Sequence, residues 1–105
     1  MLPETVDILG VRYAVESEDA ATSGAELYDK HGLVDDLQCR IRIPARGPED
    51  RRAVTLLHEI IHAIDAATED AEDQLREKDV VRLTRGLRTV MRANDGLARV
   101  VFGEV

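Results

Sequence analysis

The sequence is poor in the features that mark several large classes of protein. It contains a single cysteine, Cys39, which excludes an internal disulfide framework and favours a reducing compartment. Aromatic residues make up only 3% of the chain, which argues against a surface that stacks nucleic-acid bases. No apolar run approaches the roughly 20 residues that a membrane-spanning helix requires. We therefore expect a cytoplasmic protein that has no membrane segment.

Positive charge is also in short supply. The chain has 14 basic and 21 acidic residues, which gives a formal net charge of -7. Because nucleic acids and anionic membranes are bound through basic surfaces, neither is expected as a partner. The N-terminal segment 1–10 contains no basic residue, so no secretory signal is expected there. With 105 residues, the chain is predicted to form one domain with a single modest core.

The N-terminal part of the sequence, up to residue 44, is predicted to be rich in strands. Apolar and polar residues alternate from Val6 to Val15, with a change of phase at Gly10 that we interpret as a bulge in one strand. The alternation returns from Leu37 to Ile43, where it predicts a half-buried strand with Cys39 facing inward. Both patterns indicate a small, mostly antiparallel sheet of two or three strands.

The second half of the sequence is predicted to be helical. Residues 47–50 (Gly-Pro-Glu-Asp) favour a helix start, since proline is tolerated in the first turn and acids are favoured by the helix dipole. Apolar residues recur at helical spacing through Ile64, and again from Val80 to Met91 in a second helix that begins near Arg76. A short apolar tail, 97–102, is expected to dock on the core. The predicted fold class is therefore α+β, with the sheet packed on two long helices.

The first predicted helix contains the pattern H-E-x-x-H, formed by His58, Glu59 and His62. Residues four apart lie one turn apart on the same helix face, with Cβ atoms about 5–6 Å from each other. Two imidazoles at this spacing can bind one zinc ion, at about 2.0–2.1 Å each. Glu59 would then take a proton from metal-bound water as a general base and pass it to a leaving amine as an acid.

Chance could also produce this pattern, in which case both histidines would be ordinary core or surface residues. The neighbours favour metal binding, since Leu57, Ile60 and Ile61 make this helix apolar and a buried imidazole needs a partner. Two of the 3 histidines in the chain form the pair. We therefore predict that His58 and His62 bind Zn²⁺.

A catalytic zinc ion is usually held by three protein ligands, so the motif requires one more. Extending the apolar stripe of the second helix backwards from Val80 leads to Glu77, whose carboxylate would point into the core and need a cation there. Glu77 is our predicted third ligand, and Asp73, one turn earlier, is the second choice. Alternatively, Glu77 is simply a first-turn acid that the helix dipole favours.

Three further residues have weaker claims on the site. Asp65 shares the helix face of His58 and His62, where it could accept a hydrogen bond that fixes the tautomer of a metal-bound imidazole, or be a solvated charge. Tyr28 is the nearest candidate for a phenolic donor to an oxyanion. His31 could line the site, although a lone loop histidine is usually exposed.

These segments resemble the minimal zincin domains of phage and prophage genomes, which are close to the ImmA/IrrE-like metallopeptidases. The resemblance is carried by the helix from Thr55 to Ile64, by the strand from Ile41 to Ile43, and by the helix start from Leu75 to Leu83. It implies a gluzincin-type site in which a glutamate of the next helix, here Glu77, completes the zinc ligands. It also implies that the strand from Leu37 to Ile43 is an edge strand that pairs with an extended peptide.

The predicted function is a zinc-dependent metallopeptidase-like hydrolase, formed by one zincin-like domain (1–105) that acts on a peptide or protein substrate. The alternative is a non-catalytic, zinc-stabilised protein-interaction module of a phage or prophage. The short chain favours the alternative, because it leaves little room for a second wall of a substrate cleft. Glu59 favours the enzyme, since a purely structural metal site has no use for that carboxylate.

Overall fold

The computed structural model describes residues 1–18, 33–35, 37–68 and 71–103, which form an α+β fold. In this part of the chain a four-stranded mixed sheet precedes the helices. The strands are β1 (Thr5–Ile8), β2 (Val11–Glu18), β3 (Leu33–Asp35) and β4 (Arg40–Pro44). The helices are α1 (Glu49–Thr68), α2 (Glu77–Ala93) and the short α3 (Leu97–Phe102), with a single 3-10 turn at Ala71–Asp73 between α1 and α2. The predicted fold class is confirmed, although the sheet has more strands than expected.

A tight hairpin joins β1 to β2 at Leu9 and Gly10. Both residues have positive φ, 54° and 89°, which is the geometry of a type I′ turn between antiparallel strands. The carboxylate of Asp7 accepts the N–H of Gly10 at 2.8 Å and stabilises the turn. The predicted bulge at Gly10 is therefore wrong: the apolar phase changes because the chain reverses direction.

The strand order is β1-β2-β4-β3, with β2 and β4 parallel and the other two pairs antiparallel. The prediction of an edge strand from Leu37 to Ile43 is therefore wrong, since β4 lies between β2 and β3. It also begins too early, because Asp35 accepts the N–H groups of Leu37 and Gln38 at 3.1 Å each and holds the chain in a turn. Leu37 is 98% exposed and Cys39 has φ +53°, so neither belongs to the strand.

The core lies between one face of the sheet and α1, which contacts β1, β3 and β4. Its buried side chains are those of Ile8, Tyr13, Ile41, Ile43, Leu56 and Ala63. Cys39 packs against this cluster and is partly buried. On the opposite face of β4, Arg40 donates to Glu16 of β2, and this hydrogen bond holds the pKa of Glu16 below its usual value. The predicted half-buried strand is thus confirmed from Arg40 onwards.

The two long helices begin where the sequence predicts, but α2 is less buried than expected. It packs against α1 and buries Val80 and Thr84, whereas Leu83, Leu87 and Val90 are exposed by 43–50%. No side chain of α3 is buried, and all except that of Leu97 are exposed, so its predicted docking on the core is wrong. Within the described residues, no helix combines the length and the apolar character needed to cross a membrane.

Candidate metal centre

In the middle of α1, the imidazole rings of His58 and His62 lie close together. The rings of His58 and His62 have centroids 4.7 Å apart and planes inclined by 65°. Their Nε2 atoms are 3.1 Å apart. Both side chains are partly buried, with 19% and 25% of their surface exposed. The helical spacing of the motif therefore produces a convergent pair of nitrogen donors, as predicted.

The first residue of α2 faces this pair. One carboxylate oxygen of Glu77 is 2.7 Å from Nε2 of His58, and the other is 2.8 Å from Nε2 of His62. In the described part of the chain, these are the residues whose ligand atoms converge as a metal ion requires. The structure thus brings Glu77 to the two histidines, while its role as a metal ligand stays a prediction.

The donor set and its spacing suit a zinc ion. Two imidazole nitrogens and one carboxylate form a ligand set found at catalytic zinc sites, with bond lengths of about 2.0–2.2 Å. Ligand atoms separated by 2.7–3.1 Å are close enough for one ion to contact all of them. Glu77 is 66% exposed, so the cluster lies at the protein surface where water can reach it.

A metal-free arrangement satisfies the same groups less well. Each imidazole would carry its proton on Nε2 and donate it to one oxygen of Glu77. Two N–H groups would then lie side by side, with their nitrogens 3.1 Å apart. A shared cation replaces both protons and lets the two nitrogen lone pairs and the carboxylate bind the same charge. The geometry is therefore compatible with a shared metal ion.

Packing explains why Glu77 is at this position. Val80, three residues after Glu77 in α2, is fully buried and anchors the start of the helix. Arg76 precedes the helix with extended backbone angles and provides no side-chain cap, so the first-turn amides favour a nearby anion. The alternative interpretation of Glu77 as a first-turn acid is thus compatible with a ligand role, because the same carboxylate can lie near the first-turn amides and bind a metal ion.

Glu59 is on α1 directly after His58 and is buried, with 6% exposed. It does not belong to the converging group, as a general base should not. Burial shelters the carboxylate from bulk water, which strengthens its interaction with a proton or cation nearby. Its predicted role in proton transfer stays a prediction.

Of the remaining candidate residues, the structure describes Asp65 and Asp73. Asp65 is not a solvated charge: it is 8% exposed, and its Oδ2 accepts the N–H of Leu75 at 2.9 Å. Its predicted hydrogen bond with a metal-bound imidazole stays a prediction. Asp73, the second choice for the third ligand, is exposed in the 3-10 turn and outside the cluster. Tyr28 and His31 lie outside the described residues.

No family model, curated protein sequence or solved structure matches this chain. The zincin resemblance therefore stays a prediction that rests on the sequence motif.

Sequence reasoning missed the contact between Asp65 and Leu75. The available signal was an acid seven residues after His58, on the face of α1 that turns toward the protein interior. This position predicts that Asp65 is buried. It does not predict that Leu75 is the donor, because the segment that contains Leu75 has no periodic pattern.

Proposed function

We propose that this protein is a zinc-dependent metallopeptidase-like hydrolase with a zincin-like domain and a gluzincin-type site. The observation that carries the proposal is the convergence of His58, His62 and Glu77, with 2.7–3.1 Å between neighbouring ligand atoms. Glu59, next to the first ligand, supplies the carboxylate that separates a hydrolytic site from a structural one.

In this mechanism, metal binding and proton transfer are carried out by different residues. His58, His62 and Glu77 would hold Zn²⁺, which lowers the pKa of a bound water to about 7 and polarises the substrate carbonyl. Glu59 accepts the proton of the attacking water and then delivers it to the nitrogen of the leaving group. The partial burial of both imidazoles keeps their orientation fixed while the exposed side of Glu77 leaves the site open to substrate.

A peptide substrate would bind beside a different strand from the one the resemblance implied. Since β4 is internal, the edges of the sheet in the described residues are β1 and β3, and β3 (Leu33–Asp35) has the more extensive contact with α1. An extended peptide paired with β3 would gain main-chain hydrogen bonds and run alongside the helix that carries the histidines.

The second candidate is a non-catalytic, zinc-stabilised interaction module, as in a phage or prophage. The observation in its favour is the apolar stripe on α2, where Leu83, Leu87 and Val90 are 50%, 43% and 49% exposed. Exposed apolar side chains at helical spacing are typical of surfaces that bind another protein. In this case zinc would stabilise the fold without taking part in chemistry.

One comparison separates the two candidates. We expect the purified wild-type chain to retain about one zinc ion after dialysis and to cleave a denatured protein or a mixed peptide library. Glu59→Gln should keep the zinc and lose at least about 100-fold in activity, because a general base contributes about 10²–10⁴-fold. Glu72→Gln, the same change at an exposed acid of the 3-10 turn, is the matched control and should remain active.

Two other outcomes would contradict the proposed hydrolase. Zinc retention without cleavage of any peptide by the wild-type chain would favour the interaction module. A wild-type chain that loses all zinc on dialysis would exclude both candidates.

A further inference from the structure

A buried carboxylate near the end of α1 has no part in the mechanism described so far. Asp65 is only 8% exposed and lies in the last turn of the helix, which contains no basic residue. The helix dipole places partial negative charge at this end, so a carboxylate here is electrostatically unfavourable. A specific contact must offset both this repulsion and the cost of burial.

That contact reaches the segment that leads to α2. The Oδ2 atom of Asp65 accepts the N–H of Leu75, ten residues further along the chain, at 2.9 Å. Residues 74–76 have no regular secondary structure, and residues 74 and 75 precede the first helical hydrogen bond of α2, which the carbonyl of Arg76 accepts from the N–H of Val80. A charged acceptor makes a stronger hydrogen bond than a neutral one, and this bond attaches the segment to α1.

The geometry places this attachment beside the metal centre. Asp65 is three residues after His62, on the same side of α1, while Leu75 is two residues before Glu77. The start of α2 is therefore held from two directions: by burial of Val80 after Glu77 and by the Asp65 hydrogen bond before it. The side chain of Glu77 is itself 66% exposed, so few packing contacts restrain it and its backbone position decides where its oxygens lie.

We propose that Asp65 is a positioning residue that holds Glu77 at the distance from His58 and His62 needed for zinc binding. This inference rests on the proposed metal site. It assigns to Asp65 neither contact with the metal nor a role in proton transfer. Its effect passes through the backbone at Leu75, and it should therefore depend entirely on the presence of the Glu77 carboxylate.

The test is a double-substitution cycle read by zinc affinity. The dissociation constant would be measured by competition with a chromophoric chelator for the wild type, Asp65→Ala, Glu77→Ala and the double variant. We expect Asp65→Ala to weaken zinc binding about 10- to 100-fold, the range usual for groups that orient metal ligands. In the Glu77→Ala background the same substitution should change the affinity by less than about 2-fold, because no third ligand is left to position.

Two further variants keep the test informative if Asp65→Ala folds poorly. Asp65→Asn retains a carbonyl oxygen that can accept the N–H of Leu75, and it should preserve most of the zinc affinity. Leu75→Pro removes the donor itself and should reproduce the loss seen with Asp65→Ala. Leu75→Ala keeps the N–H and is its matched control, with zinc affinity near that of the wild type.

The outcomes distinguish this inference from the proposed function. If the wild-type chain binds zinc and Asp65→Ala binds it equally well, the positioning role is wrong and the metal site stands. An equal loss of affinity in both Glu77 backgrounds would also overturn the role, because it would show general destabilisation. If the wild-type chain has no affinity for zinc, the metal site itself is wrong and the positioning role is rejected with it.

Discussion

The two long helices contribute to the candidate centre in different ways. In α1 the buried residues extend along most of the helix, and they include the charged side chains of Glu59 and Asp65. In α2 the buried residues are Val80 and Thr84, near its start. Two candidate ligands therefore lie on a helix that the core holds firmly, while the third lies at the start of a helix whose remaining length is largely exposed. The geometry of the candidate centre therefore depends on how firmly the start of α2 packs against α1.

The largest effect is expected from removing a ligand on α1. His62→Ala should weaken zinc binding by more than the roughly 10- to 100-fold that accompanies loss of an orienting group, because a metal bond itself is lost. Glu72→Ala, at an exposed acid of the 3-10 turn, is the control. Isothermal titration with Zn²⁺ measures both. Equal affinities for the two variants would show that α1 does not carry the site.

A smaller effect is expected from loosening the anchor of α2. Val80 is completely buried, so Val80→Ala should lower the free energy of unfolding by about 2 kcal/mol and also weaken zinc binding, because Glu77 is on the same turn. Leu87→Ala, at a site 43% exposed, is the control and should change both quantities much less. Urea unfolding with and without a chelator measures the stability. Lower stability with unchanged zinc affinity would mean that Glu77 is positioned independently of α2 docking.

The smallest effect is expected at the other end of the helix pair, where Asp50 of α1 pairs with Arg88 of α2. The hydrogen bond from Arg88 holds the pKa of Asp50 below its usual value. A lowered pKa in the folded state means that the pair stabilises the fold above the ordinary aspartate pKa, and that this stabilisation is lost as the pH falls through the lowered value.

Asp50→Asn should therefore be slightly less stable than the wild type at pH 7 and equally stable in acid. Zinc affinity at pH 7 should be unchanged, since the pair is far along α2 from Glu77. Unfolding midpoints between pH 3 and pH 7, measured with excess chelator, check the first expectation. If the wild type and Asp50→Asn differ in stability as much at pH 3 as at pH 7, the effect of the substitution does not come from the Asp50–Arg88 ion pair.

The parts of this structure that depend on local spacing could be predicted from the sequence. Helical periodicity alone places His58 and His62 on one face, and the apolar stripe that ends at Val80 leads to Glu77. The strand order could not be predicted, because the neighbours of β4 are decided by pairing between distant segments. The hairpin was misread because leucine rarely adopts positive φ, so Leu9 gave no turn signal. The bond from Leu75 to Asp65 could not be predicted, because Leu75 is in an irregular segment.

The separation of the candidate ligands along the chain has a consequence for folding kinetics. His62 and Glu77 are 15 residues apart, whereas the Arg40–Glu16 contact across the parallel pair β2–β4 joins residues 24 apart. The entropy lost on closing a loop rises with its length, and non-local strand pairing generally slows folding. The three candidate ligands therefore span a shorter stretch of chain than the parallel strand pair, and we expect the rate-limiting barrier to lie in assembly of the sheet.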